Sequence, residues 1–305
     1  MIIDKVTIYL RSGKGGEGSS AVTKLSSRKI VASGGDGGRG GNVILRVNPH
    51  LYDLSKFRGS KKFIASDGEK GKARNKKGKD AQDLIVNLPP GTRVLNHDQL
   101  VADLVGQGEE FLICQGGRGG KGNHKRGYTI SAQGSQEREI TLDYRIPNDV
   151  AILGFANSGK TALFNALTNQ CRKVAEYPFT TTSCFWANGE HEFQRFRVLD
   201  TPPFKRGKDP LNLAENTFLI HVFRSKILLL LSDKRSFEED FRNLKKEISL
   251  YDSCLLGAKK NFYLLTKIDT MDKKVTSKEY MTISVNKPET IATLKLKISK
   301  SLEEL

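Results

Sequence analysis

Cysteine is scarce in this sequence and unorganised: Cys114, Cys171, Cys184 and Cys254 are the only four among 305 residues, with no pairing or metal-ligand spacing between them. They read as ordinary reduced residues and fit a reducing compartment. Long apolar runs are missing as well. The longest, from Ile227 to Leu231, is far too short to span a bilayer, which takes about 20 residues. The opening stretch from Met1 to Leu10 alternates like a strand and lacks a charged start followed by an apolar core, so no signal peptide is expected. Acidic residues are the third shortage. Asp and Glu number 34 against 50 Lys and Arg, a formal net charge of +16. Such an excess points to a polyanionic partner, nucleic acid before membrane, because no amphipathic anchor accompanies it. The expectation is a soluble, cytoplasmic monomer with no membrane partner; an organelle matrix is the alternative compartment.

Glycine, by contrast, is abundant and unevenly placed. Of 29 glycines, 24 precede residue 148 and 5 follow it. Two backbones with different demands therefore meet near Ile146-Pro147-Asn148, which predicts one domain over 1–147 and another over 148–305. Three clusters dominate the first: Gly13 to Gly18, Gly34 to Gly41 and Gly116 to Gly122. No Gly-X-Y period is sustained, so they are not collagen. Strand-like runs such as Val43 to Val47, Leu84 to Leu88 and Glu110 to Cys114 separate them, so they are not a flexible linker. Without Cβ atoms, backbones can lie side by side, and tightly packed polyproline-II-like segments become physically possible. A disordered low-complexity segment is the competing reading.

The positive charge of this half is local. Between Lys56 and Lys79 stand ten Lys or Arg, among them Lys61 and Lys62, with only Asp67 and Glu69 to oppose them and with Phe57 and Phe63 interleaved. Together with the basic tips Arg39, Arg118, Lys121, Lys125 and Arg126, this strip suits the neutralisation of an RNA backbone rather than a merely solvated loop.

The second half carries one strong motif. Gly154-Phe155-Ala156-Asn157-Ser158-Gly159-Lys160-Thr161 is a complete G-x-x-x-x-G-K-[ST] phosphate loop. It follows the apolar run Val150 to Leu153 and precedes the helix-forming stretch Ala162 to Leu167, the strand and helix that the motif requires. In such a loop backbone N–H groups face phosphate oxygens, Lys160 reaches the β- and γ-phosphates and Thr161 ligates Mg²⁺. Four weaker elements follow in the order that a guanine-nucleotide domain needs. Tyr177-Pro178-Phe179-Thr180-Thr181 offers hydroxyls to the metal and γ-phosphate, and Asp200-Thr201-Pro202 ends a strand in a carboxylate able to hold Mg²⁺ through water. Thr266-Lys267-Ile268-Asp269 places an aspartate where it can accept from two donors of guanine that adenine does not present together. Ser284-Val285-Asn286 follows a further strand, to touch the base from behind. Helical apolar stripes at Phe237, Phe241, Leu244, Ile248 and Tyr251, and at Ile291, Leu294, Ile298 and Leu302, read as core. Strands alternating with helices imply a parallel sheet with helices on both faces.

These residues resemble the Obg family of GTPases over essentially the whole chain. The resemblance rests on the glycine clusters from Gly34 to Val43 and from Gly116 to Asn123, on Gly78-Lys79-Asp80, on the phosphate loop and on Tyr177 to Thr181. It implies a multi-domain protein: a glycine-rich β domain with packed polyproline-II-like glycine helices (the Obg fold), followed by an α/β P-loop G domain. It also implies a slow GTP-dependent switch in large ribosomal subunit maturation, with the glycine-rich loops inserted into rRNA. By that similarity Thr161 and Thr181 are the Mg²⁺ ligands, Lys160 and Thr181 the catalytic groups, and Asp269 the guanine reader. Asn157 matches the position that coordinates K⁺ in potassium-dependent relatives.

The departures from the family pattern matter equally. Its third motif is Asp-x-Pro-Gly, but this chain has Asp200-Thr201-Pro202-Pro203. Proline has no backbone N–H, and the glycine it replaces is the one that senses the γ-phosphate. Phe204 stands where a glutamine would orient water, and the stretch from Phe204 to Pro210 is shortened relative to the usual acidic one. Thr266 replaces asparagine and keeps a hydroxyl to tie the loops together; Val285 replaces alanine and crowds the base. The C-terminal extension of some relatives is not expected. Two readings follow: a slow Mg²⁺-dependent GTPase, or a guanine-nucleotide-binding RNA module whose switch has degenerated and that hydrolyses little or no GTP.

Overall fold

Alternation of apolar and polar residues gives Lys5–Arg11 (β1) one buried face, formed by Val6, Ile8 and Leu10. A computed structural model describes residues 4–26, 29–59, 61–169, 184–204, 218–233, 237–267 and 279–304. The chain divides after Tyr144 into two compact units. In the first, the strands are β1, Val22–Ser26 (β2), Lys29–Ala32 (β3), Val43–Val47 (β4), Lys62–Ile64 (β5), Leu84–Leu88 (β6), Thr92–Asn96 (β7), Gln99–Leu104 (β8), Glu110–Cys114 (β9) and Glu137–Tyr144 (β10). They form a five-stranded sheet in the order β5-β1-β10-β7-β8, a three-stranded sheet β6-β4-β9 and the ribbon β2-β3. The core joins Ile8, Leu10, Leu45, Leu88, Ile140 and Leu142.

The glycine clusters lie outside these strands. Segments 12–21, 33–42 and 115–120 contain neither helix nor strand, yet their backbones are hydrogen-bonded to one another in closed circuits. Gly13 N donates to Gly41 O, Gly40 N to Gly117 O, and Gly117 N back to Gly13 O, each at 2.9 Å. One turn along, Gly16 N donates to Gly38 O, Gly37 N to Gly120 O and Gly120 N to Gly16 O, at 2.8 to 2.9 Å. A fourth segment joins from outside, accepting from Gly41 N at Ser66 O and from Gly38 N at Glu69 O. Backbones this close leave no room for side chains: a Cβ on Gly37 would stand 1.8 Å from Gly16 O, and one on Gly116 1.9 Å from Gly40 O. The competing reading of a disordered segment is thereby corrected, because the polar backbone of these clusters finds its partners internally.

In the second unit the central strands are apolar along their whole length, as strands covered on both faces must be. Val150–Gly154 (β11) and Ile227–Ser232 (β14) are buried throughout. With Phe185–His191 (β12), Gln194–Asp200 (β13), Lys260–Leu265 (β15) and Tyr280–Thr282 (β16) they make a six-stranded sheet in the order β12-β13-β11-β14-β15-β16. All pairs are parallel except β12 with β13. The helices are Lys160–Thr168 (α1), Leu219–Val222 (α2), Phe237–Tyr251 (α3) and Pro288–Glu303 (α4). Leu163, Phe164 and Leu167 of α1 share one cluster with Ile291, Leu294 and Ile298 of α4 and with Val150, Ile152, Ile227, Leu229 and Leu231. Phe241, Leu244 and Ile248 bury the stripe of α3. This chain therefore has a mixed-sheet β unit followed by an α/β unit of the P-loop type.

Candidate functional site

In an open parallel sheet, ligands bind outside the carboxyl ends of the strands. The motif residues converge there, at the ends of β11, β13, β14 and β15. Gly154 closes β11, and a Cβ on it would lie 2.5 Å from Ser158 Oγ and 2.9 Å from Leu231 O. Phe155, Ala156, Asn157 and Ser158 then turn the chain into Gly159, whose φ of +86° is the left-handed conformation that starts α1. Ser158 Oγ is buried without a hydrogen-bond partner among the described residues. A buried hydroxyl left orphaned inside the loop fits a cradle whose remaining partner is a ligand.

Lys160 is buried, and its Nζ donates to Gly154 O at 3.1 Å and Phe155 O at 2.8 Å. Burial pulls its pKa down, and the carboxylates of Asp200 and Asp233 oppose that shift. Thr161 Oγ1 donates to Asp200 Oδ2 at 3.0 Å, so a hydroxyl and a carboxylate meet beside the loop. Both are the hard oxygen donors that Mg²⁺ prefers, and the residues present fit that ion. Thr201 is fixed by Oγ1 donating to Ile152 O at 2.6 Å; Pro202 is buried beside it and Pro203 is exposed. Phe204 turns inward: it is 1% exposed, its N–H donates to Gly154 O at 3.2 Å, and its ring packs edge-on against Phe155 and Phe218.

At the end of β15, Thr266 donates from Oγ1 to Ser158 O at 2.8 Å and to Ser232 O at 3.3 Å. A single hydroxyl thus ties the phosphate loop to two strands. Lys267, at φ +58°, donates from Nζ to Asn157 O at 2.7 Å and pairs with Asp233 at 2.8 Å. After β16, Ser284 is buried, its Oγ accepts from Asn286 N at 3.2 Å, and Val285 is exposed. Phe179, Thr180, Thr181 and Asp269 lie outside the described residues, as does Cys171. The sequence reading missed Asp233, which holds Lys267, and Ser232, whose carbonyl receives Thr266 and whose hydroxyl donates to buried Asp240 at 2.8 Å. Their signal was positional: they stand at the carboxyl end of the strand adjoining β11.

The basic residues of the first unit fall into two groups. Arg39 pairs with Asp83 at 2.9 Å, and its N–H donates to Asp80; Lys121 pairs with Asp36 at 3.0 Å. The Gly122 N–H and Lys121 hold the Asp36 carboxyl below its usual range. Lys121 therefore ties the third glycine cluster to the second, and Arg39 ties the second to the stretch that leads into β6. Lys61, Lys62, Arg118, Lys125 and Arg126 are exposed and form no ion pair among the described residues. Cys114, Cys184 and Cys254 form no disulfide, no group of three or more His, Cys, Asp or Glu among the described residues is placed to hold a metal ion, and no helix there is long and apolar enough to cross a membrane.

Two family models match the chain: "GTP1/OBG" over residues 3–141 and "50S ribosome-binding GTPase" over residues 149–267. The chain is 33% identical over 331 residues to the GTPase Obg of Aquifex aeolicus, covering 99% of this chain and 96% of that one. It is 34% identical over 275 residues to the GTPase Obg of Thermoanaerobacter sp. (84% of this chain, 64% of that one) and 36% identical over 276 residues to that of Alkaliphilus oremlandii (84% and 63%). The chain thus spans under two thirds of the length of these last two relatives.

Proposed function

We propose, from the premise that this chain belongs to the Obg family of GTPases, that it binds guanine nucleotide at the loop Gly154 to Thr161, hydrolyses GTP slowly, and acts on the large ribosomal subunit through RNA contacts of its glycine-rich half. The observation that carries the reading is the convergence of the phosphate loop, the Thr161–Asp200 pair and the Thr266–Lys267 clamp at the carboxyl ends of adjacent strands. Thr161, with Thr181, would hold Mg²⁺ directly and Asp200 through water; the ion supplies neutralisation of charge on the β- and γ-phosphate oxygens. Lys160 leaves the carbonyls of Gly154 and Phe155 to engage those oxygens, exchanging neutral acceptors for charged ones. Thr266 and Lys267 brace the loop against the base site, where Asp269 reads guanine and Ser284, Val285 and Asn286 back it. In hydrolysis water attacks the γ-phosphorus and the bond to the β-phosphate oxygen breaks, releasing GDP and phosphate. Phe204, buried, orients no water, and Pro203 offers no N–H, so the reaction is slow.

The same two residues favour the second reading, in which nucleotide binds but GTP and GDP are poorly distinguished. Affinities for both nucleotides, with single-turnover hydrolysis in Na⁺ and K⁺ buffers, separate the two. Measurable phosphate release abolished by Lys160→Ala supports the GTPase, and near-equal affinities without release leave the binding module. Equal rates in both salts would remove the K⁺ role assigned to Asn157.

For the first half, the glycine segments are read as polyproline-II-like helices. The positive-φ glycines among the described residues are Gly91, Gly108, Gly127 and Gly159, none of them in the three clusters, which supports that geometry. The glycine bundle would present Arg118, Lys125 and Arg126 to rRNA, and Lys61 and Lys62, held next to Tyr9 of β1, would add contacts from the sheet. Co-sedimentation with the large subunit, in GTP and in GDP, tests the partner; fractionation of the source cells tests a location in the cytoplasm or an organelle matrix.

A further inference from the structure

The segment that joins the two units is tied into the nucleotide unit by buried polar groups. Asn148 Nδ2 donates to Ile146 O at 2.8 Å and to His221 O at 2.9 Å, Ser225 Oγ donates to Asn148 Oδ1, and Ile146 N–H donates to His221 Nδ1 at 3.3 Å. Arg197 holds Pro147 O at 3.0 Å, and the Arg145 guanidinium lies over the Phe223 ring at 4.8 Å. Burial keeps the His221 imidazole neutral, with its pKa down at about 4, so Nδ1 is free to accept and Nε2 carries the proton.

His221 also stands at the far end of a line of contacts from the phosphate loop. Its N–H donates to Phe218 O at 3.0 Å. The Phe218 ring meets Phe204 edge-on at 5.4 Å, and Phe204 meets Phe155 of the loop at 6.4 Å. Gly154 O receives both the Phe204 N–H and the Lys160 ammonium. An anion in the cradle draws Lys160 away and changes the partners of the very carbonyl that anchors Phe204.

We propose that residues 145–148 sense occupancy of the phosphate loop through Phe204, Phe218 and His221, without using the γ-phosphate. The proposal rests on the reading of the loop as a nucleotide site. It gives a chain with proline at position 203 a way to report nucleotide that needs no N–H there, and it makes GDP as effective as GTP. Coupling of this kind is a property of packed side chains with two arrangements and is tested by breaking one link.

Hydrogen exchange on the full chain, free and with Mg²⁺ plus GDP or a non-hydrolysable GTP analogue, reads both ends at once. Peptides covering 154–161 report nucleotide binding, and peptides covering 145–149 report the arm. Both nucleotides should protect 154–161 and shift exchange at 145–149 by about tenfold, the scale of one buried hydrogen bond gained or lost. Phe218→Leu, which keeps the site apolar, should leave protection at 154–161 and abolish the shift at 145–149; Phe204→Leu should do the same, so the outcome does not hang on one variant's folding. Protection at 154–161 without any shift at 145–149, a shift that survives both variants, or a shift with the GTP analogue alone would overturn the proposal. Absence of protection at 154–161 would instead overturn the nucleotide site on which it rests.

Discussion

Glycine serves opposite ends in the clusters of the first unit and at Gly159 of the second. In the clusters of the first, glycine is where one backbone touches another: a Cβ on Gly13, Gly37, Gly40 or Gly116 would fall within 2.1 Å of a carbonyl oxygen from a neighbouring segment. In the second, Gly159 meets nothing closer than 3.5 Å and is required by its φ of +86°, which lets the chain turn from strand into helix. The first use makes a rigid body out of backbone hydrogen bonds. The second shapes the turn at the carboxyl end of β11 that the proposed nucleotide would fill. Rigid loops suit insertion into another molecule's grooves, and a ligand-completed loop suits a site that reports on its occupant.

The comparison is broken most severely by adding one methyl group. Gly37→Ala should destabilise the first unit by more than about 4 kcal/mol, enough to abolish its cooperative unfolding transition, whereas Gly134→Ala, with open space around its Cβ, should change stability by less than about 0.5 kcal/mol. Calorimetry on the full chain checks both, and a folded Gly37→Ala would refute the backbone packing described above.

Acid should separate the units next. His221 in the nucleotide unit has a folded pKa of about 4 against an ordinary 6.5, so the stability linked to it is complete above pH 6.5 and is lost as pH falls through about 4. The loss approaches about 3 kcal/mol. Asp4 in the first unit shifts the other way, to about 6, chiefly through burial and then the nearby Asp143 carboxylate. Its contribution is greatest below the ordinary 3.8 and is lost as pH rises through about 6. Thermal unfolding followed from pH 7 to pH 4 should therefore show the second unit losing ground, and His221→Leu should flatten its curve.

A smaller effect sharpens the comparison at the site itself. Pro203→Gly returns an N–H beside the cradle and should raise the preference for GTP over GDP by about tenfold to a hundredfold, the range for one hydrogen bond to a charged acceptor. Calorimetric titration of both nucleotides measures it. Smallest of all, charge reversal at exposed Arg118 or Lys125 should lower the slope of log affinity for large-subunit RNA against log salt by about 1 per residue, while leaving the fold intact. Reversal at Arg39 should also loosen the fold slightly, because it breaks the pair with Asp83.

Much of this could be read from the residues in order. Strands at Val43–Val47, Leu84–Leu88 and Glu110–Cys114 fall where their apolar runs place them, and the strand before and helix after the phosphate loop follow from that motif. The short strands β5, β7 and β8 escaped notice because β5 and β8 are edge strands with little buried apolar alternation and β7 gains its place from β10, distant in sequence. Asp233 escaped for the same reason: nothing local marks it as a partner of Lys267, 34 residues away.

The sequence alone determined that the chain has a glycine-crowded basic half and a half with a phosphate loop, because these rest on composition and on contiguous residues. Only the tertiary structure decided what each glycine and each charge is for. Whether a missing Cβ serves close approach or a left-handed turn depends on which backbone lies opposite. Whether Arg39 or Arg118 is available to a partner depends on whether a carboxylate such as Asp83 has been folded against it.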